Sequence, residues 1–223
     1  VDPEINHGIP ELIAAYGLTV LTEDCLPIDF VPKRPVRVND QWVYHSRLYT
    51  AAEFVCGRDD LELIQLNSFG CGLDAVTTDE VCELLEQGGK LYTCLKIDEV
   101  NNLGAVRIRI RSLLAAVAMR RERGIHSTSH VQPFERVYYT KEMQKQHYTI
   151  LAPQMSPIHF DILEPIFRHH GYNFEVLQND DRAAIDAGLK YVNNDACYPS
   201  ITAVGQLMEA VTSGRYDTDH LAL

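Results

Sequence analysis

Two cysteines stand where a thiolate could do chemistry. Cys71 lies between Gly70 and Gly72, directly after an apolar run carrying Leu61, Leu63, Ile64 and Leu66, so strand, glycine-freed loop and thiol follow one another closely. Cys197 directly precedes Tyr198 and Pro199, and proline suits the first turn of a helix. Amide dipoles at such a helix start lower a thiol pKa and favour metal ligation or nucleophilic attack. Thr77, with Glu80 three residues later, has the capping-box pattern and predicts a helix over 79–86 whose dipoles sit close to the Cys71 loop. Asp98 and Glu99 follow the apolar run 91–97 and would share a sheet edge with Cys71, where a carboxylate can serve as supporting acceptor or general base. Solvated loop carboxylates are the plain alternative.

The other titratable groups offer less. Of the remaining cysteines, Cys56 and Cys82 fall in predicted helices and Cys94 in a predicted strand, where a thiol behaves as a small hydrophobe; Cys25 follows a predicted strand. With no CxxC pair and a chain long enough for a proper core, reduced thiols are expected. His169 and His170 are adjacent, and His126 and His130 lie in a weakly periodic stretch, so the histidines make no coherent zinc site. Arg107 and Arg111 are one helical turn apart and could hold an anion or simply form a wet face. There is no P-loop, no G-x-S-x-G elbow and no G-x-G-x-x-G fingerprint.

These residues need elements to position them. Helical periodicity covers 5–16 with Gly17 as stop, and a strand is expected at 18–22. Prolines 27, 32 and 35 break 26–38. A long helix over 39–55, strands at 61–66 and 91–97, and the helix at 79–86 come next. Residues 103–123 alternate like a strand around Val106 to Arg111, yet Val106, Ile110, Leu113 and Val117 share a helical face, and length with alanine content decides for helix. After the weak periodicity of 124–146 come a strand at 148–151, a helix at 158–170 stopped by Gly171, a strand at 174–177, and helices at 182–189 and 200–212. Residues 9–21 and 162–177 echo each other as helix, glycine and short apolar strand. Such alternation predicts an α/β protein: three-layer parallel sheets with helices on both faces, in two αβ units.

Twenty basic against thirty-one acidic residues give a net charge of −11, which argues against a nucleic-acid backbone as partner. No run of about eighteen apolar residues suits a membrane span, no leader opens the chain, and a cytoplasmic location is expected. The absence of an initiator Met and the barely begun strand at 219–223 read as a segment of a longer protein.

Several long blocks carry a resemblance: Asp2-Pro-Glu-Ile-Asn-His-Gly-Ile9, Gln65-Leu-Asn-Ser-Phe-Gly-Cys-Gly-Leu-Asp-Ala-Val-Thr-Thr78, Leu95-Lys-Ile-Asp-Glu99, Ala152-Pro-Gln-Met-Ser-Pro-Ile-His-Phe160 and Tyr191-Val-Asn-Asn-Asp-Ala-Cys-Tyr-Pro199. Together they resemble the large acyl-CoA dehydratase activase-related proteins, multi-domain relatives of 2-hydroxyacyl-CoA dehydratase subunits and their ATP-dependent activators. The resemblance implies α/β domains in which cysteines at strand ends hold an iron–sulfur cluster of the 4Fe–4S type, fed with low-potential electrons by the activator, in anaerobic metabolism. It implies Cys71 and Cys197 as cluster ligands, with Asp74, Asp98 and Glu99 as carboxylates that could support them. In the related subunits an Asp follows the cluster Cys directly, whereas here Asp74 stands three residues after Cys71. It further implies residues 1–124 as the end of a first dehydratase-subunit-like module, 125–146 as a linker and 147–223 as the start of a second module.

A cubane needs about four ligands, mostly thiolates, so this chain alone is expected to bind no complete cluster. The remaining domains of the same polypeptide, including an ATPase activator, and possible acyl-CoA are the implied partners, with an oligomer open. The rival readings are a non-catalytic scaffold or acyl-CoA-binding module without a cluster, and a thiol enzyme using Cys197 as nucleophile.

Overall fold

In the computed structural model, residues 6–68, 72–97, 103–128, 131–193 and 196–223 are described. The chain divides into two compact units, Val1–Arg136 and Val137–Leu223.

The first unit is built on two parallel strands, β1 (Ile64–Asn67) and β2 (Thr93–Lys96), with Ile64 opposite Thr93 and Asn67 opposite Lys96. Side chains alternate across a strand, so Ile64, Leu66 and Leu95 share one face while Gln65 and Asn67, both buried, lie on the other. One face meets α2 (Val43–Cys56) and α3 (Leu73–Gln87), where Tyr49, Ala52, Val81 and Leu85 form a core joined by Leu63 and Tyr92. The other meets α1 (Ile9–Ala14) and α4 (Leu103–Glu122), where Ile9, Val106 and Ile110 pack with Ile64, Leu66 and Leu95. Helices thus lie on both faces of a parallel ladder. The strand alternative for 103–123 loses because Val106, Ile110 and Leu113, spaced four and three apart, are the residues α4 buries, while Arg107, Arg109 and Arg111 stay exposed.

Three local expectations are corrected. Residues 18–22 form no strand: Leu18, Val20 and Leu21 are exposed, and β propensity without a neighbouring ladder to pack on yields no strand. Cys25 therefore follows no strand and closes a 3-10 turn, Glu23–Cys25, and the echo between 9–21 and 162–177 holds only for helix and glycine. Thr77 and Glu80 are not a cap. α3 starts at Leu73, behind Gly72 with its φ of +59°, and Thr77 sits inside it, donating to Leu73 O at 2.8 Å and lying 3.2 Å from the Tyr49 hydroxyl. Both residues are polar because they bond to other elements; Glu80 accepts the Arg37 backbone N–H at 3.3 Å.

Lys90 ties the turn after α3 to the approach to β1. Its side chain is 4% exposed, and its ammonium donates to Arg58 O at 2.6 Å, Leu61 O at 2.8 Å and Glu62 Oε1 at 3.4 Å. Beside it, the buried Gly88 leaves room for Cys56, whose Sγ would lie 2.2 Å from a Cβ at that position. Residues 125–128 and 131–136, read from sequence as part of a linker, are bonded into this unit: Thr128 N–H donates to Gly88 O, Phe134 N–H to Pro35 O at 2.8 Å, and Arg136 to Val38 O at 2.8 Å. Asp59 accepts from the Ser127 backbone and hydroxyl and pairs with His126, contacts that hold its carboxyl well below the usual range. Weak periodicity at these residues reflects bonds to backbone carbonyls and to the Asp59 carboxylate in place of a packed apolar face.

In the second unit β3 (Thr149–Ala152) is flanked by β4 (Asn173–Val176) and β5 (Leu221–Ala222), all parallel, in the order β4-β3-β5. A short helix, α5 (Lys141–Lys145), precedes them. On one face Phe160 of α6 (Pro157–His169) packs with Ala152, Phe174 and Val176. On the other, Leu151 and Leu177 meet Leu207 and Ala210 of α8 (Tyr198–Thr212). α7 (Arg182–Tyr191), capped by Asp181, whose carboxylate accepts from Ala183 and Ala184 N–H, lies against α8 at van der Waals distance. Glycines make that possible: a Cβ at Gly205 would fall 1.9 Å from Ala184 O, and one at Gly188 would fall 2.1 Å from Ile201 O.

Candidate functional site

The connections of the second unit leave its sheet toward opposite faces. From the carboxyl end of β3 the chain goes to α6 on one face, and from that of β4 to α7 and α8 on the other. In open α/β sheets ligands gather outside the carboxyl ends of the strands. Three amide side chains stand there. Gln206, only 2% exposed, accepts the Gln154 backbone N–H on Oε1 at 2.8 Å. Asn179 Nδ2 donates to Gln206 O at 3.2 Å and to Glu209 Oε2 at 2.7 Å, which fixes its orientation. Gln154 Oε1 and Asn179 Oδ1 are left buried with no hydrogen-bond partner.

Cys197 belongs to the same side of this sheet. It is the N-cap residue of α8; Ile201 N–H donates to its carbonyl at 3.1 Å, and its Sγ lies 3.2 Å from Ser200 Oγ. The thiol is half-buried. It does not end a strand as the resemblance implies, because α7 continues to Tyr191; the short joint between α7 and α8 carries it. α8 runs back from the carboxyl side toward β5. Cys197 precedes Gln206 by nine positions, so it stands roughly 13 Å beyond the amide cluster.

In the first unit Cys71, Asp98 and Glu99 lie outside the described residues. Asp74 is in the first turn of α3, where its charge complements the helix dipole, and its Oδ1 is 3.3 Å from His45 Nε2 on α2. His45 Nδ1 is buried with no hydrogen-bond partner. Sequence reasoning missed His45, and no spacing rule could have found it, since 29 positions separate it from Asp74 and packing of α2 on α3 joins them.

Among the described residues no group of three or more His, Cys, Asp or Glu side chains could hold a metal ion. The His169 and His170 rings meet edge to face at 5.5 Å. Burial pushes the Cys56 thiol up to about 11, and burial together with a hydrogen bond to Glu86 does the same to Cys82. Cys25 is exposed. Iodoacetamide near neutral pH is therefore expected to label Cys25 well before Cys56 in the folded chain, as peptide mapping would read; equal labelling would show the α2–α3 core to be open.

Comparison with family models, with characterised proteins and with solved structures finds no match to this chain. Among the described residues no helix is long and apolar enough to cross a membrane.

Proposed function

We propose that this chain is part of an iron–sulfur protein related to 2-hydroxyacyl-CoA dehydratases and their ATP-dependent activators, acting in low-potential electron transfer or acyl-CoA dehydration, with Cys197 giving a thiolate to a 4Fe–4S cluster. The observation that carries the reading is the position of Cys197: half-buried, at the start of a fifteen-residue helix, on the carboxyl side of a parallel sheet. A helix N-terminus favours the thiolate that ligation requires, and Ser200 can donate to that sulfur. A cluster would supply one-electron transfer at low potential.

The described residues offer one thiolate on this face, which does not complete a ligand set; the others would come from Cys71 and from chain outside these residues. Asp74, held by His45, would steady the start of α3 beside the Cys71 loop in sequence. Low-potential electrons would come from an ATPase activator within the same polypeptide.

Anaerobic reconstitution of the full-length protein, followed by iron and sulfide analysis, tests this. Cys197→Ser is expected to lower bound iron and bleach the visible absorption, and unchanged spectra would overturn the ligand role. The second reading, an acyl-CoA-binding module without a cluster, draws on the unpartnered Gln154 and Asn179 oxygens, which offer hydrogen-bond acceptors and need no metal. It would be favoured by acyl-CoA binding in a colourless protein.

A further inference from the structure

A second cavity lies in the first unit, within contacts that the iron–sulfur reading does not use. It measures about 450 Å³ and is lined by Lys33, Val36, Arg37, Glu80, Glu83 and Phe134, with further walls from Leu84 and Val131. Its volume falls in the range of small-molecule sites. The proline-broken connection forms one side, the segment after α4 another, and α3 the floor.

The floor carries a buried acid held only by a long ion pair. Glu80 is 3% exposed. Its Oε1 accepts the Arg37 backbone N–H at 3.3 Å, while its Oε2 is buried with no hydrogen-bond partner. The neighbouring cations make their short contacts elsewhere. The Arg37 guanidinium bonds Glu83 at 2.9 Å and leaves its Nε 3.9 Å from Glu80 Oε2. The Lys33 ammonium donates to Val131 O at 2.6 Å. Burial raises the Glu80 carboxyl above its ordinary value and outweighs the opposing pull of Arg37. Glu83 and Glu135 add two more carboxylates to the lining, and Phe134, 40% exposed, adds an aromatic ring.

We infer that this cavity binds an organic cation, a guanidinium or ammonium group on a short aliphatic chain. The charged head replaces the Arg37 Nε as partner of Glu80 Oε2, and the stem lies on Val36, Leu84 and Val131. Three acids outnumber the lining cations Lys33 and Arg37, whose short contacts are already made to Val131 O and Glu83, so phosphate-bearing and carboxylate ligands are disfavoured and the site is chemically distinct from any acyl-CoA site. Arg37, whose side chain is 48% exposed, swings toward Glu83 to admit the head.

The test is an amide-resonance titration of the whole 223-residue chain with butylguanidinium, butylammonium and butyrate. Saturable shifts at Arg37, Glu83 and Phe134 are expected with both cations, guanidinium the stronger because it can fork onto a carboxylate. Glu80→Gln is expected to weaken binding by about tenfold or more, in line with loss of one charged hydrogen bond. Phe134→Ala, at an exposed position, is expected to weaken guanidinium binding by about threefold through loss of the ring contact while leaving the fold intact. If circular dichroism shows Glu80→Gln unfolded, the wild-type contrast between cation and butyrate together with Phe134→Ala decides. Absence of saturable shifts with either cation, equal response to butyrate, or undiminished binding in folded Glu80→Gln would overturn the inference. None of these outcomes depends on iron.

Discussion

Gly205→Ala is expected to destabilise the second unit by about 3 kcal/mol, although alanine is ordinarily the better helix former by up to about 1 kcal/mol. The reversal comes from contact. The added methyl would sit 1.9 Å from Ala184 O and 2.9 Å from the backbone nitrogen of Gly188, and neither is the flexible end of a side chain that could turn away. α7 and α8 would have to separate, exposing Ile201 and Ala184, which are now buried. Gly214→Ala is the matched control. Nothing lies within 4 Å of a Cβ there, so only the strain of its φ of +74° is added, about 1–2 kcal/mol. Hydrogen exchange of α7 and α8 amides would rank the two. Equal protection in both variants would mean that the helices do not approach as closely as described.

Lys90→Met is expected to cost the first unit about 3 kcal/mol. Methionine nearly conserves the length and apolar stem, so lost packing contributes little. What disappears is the donor: the carbonyls of Arg58 and Leu61 and the Glu62 carboxylate all face a side chain that can no longer answer them. A buried acceptor left without a partner costs more than the average hydrogen bond contributes. The urea midpoint measured by far-ultraviolet circular dichroism should fall with the slope unchanged. A midpoint within error of the parent would show that water replaces the ammonium.

The architecture was legible where period and punctuation agreed. α4 followed from Val106, Ile110 and Leu113 despite the rival alternation of its arginines, and the parallel strands followed from short apolar runs set between helices. The errors share a cause. Residues 18–22 have strand-like composition, but a strand exists only beside another. Thr77 and Glu80 have cap-like spacing, but their polar atoms answer Tyr49 and Arg37 from other elements. Tertiary contacts outweighed local pattern in both places.

The candidate site was legible in part. Pro199 announced α8 and with it the setting of Cys197. The strand end at which the resemblance places that cysteine is here the end of α7, because Asp181 caps a helix that runs on through Tyr191. His45 beside Asp74, Gln154 beside Gln206, and Glu80 beneath the proline-broken connection are partnerships across 29, 52 and 43 positions. A single sequence contains no record of such meetings.

The backbone-to-backbone seating of α7 on α8 also bears on how a ligand would be captured. Cys197 is fixed to the first turn of a helix whose neighbour presses against Gly205, so its sulfur can travel only as far as its own side-chain rotation allows. A metal centre forming there would be assembled on a fixed anchor, with the other donors brought to it. The ordering entropy of capture would then fall on those donors and not on this arm of the protein.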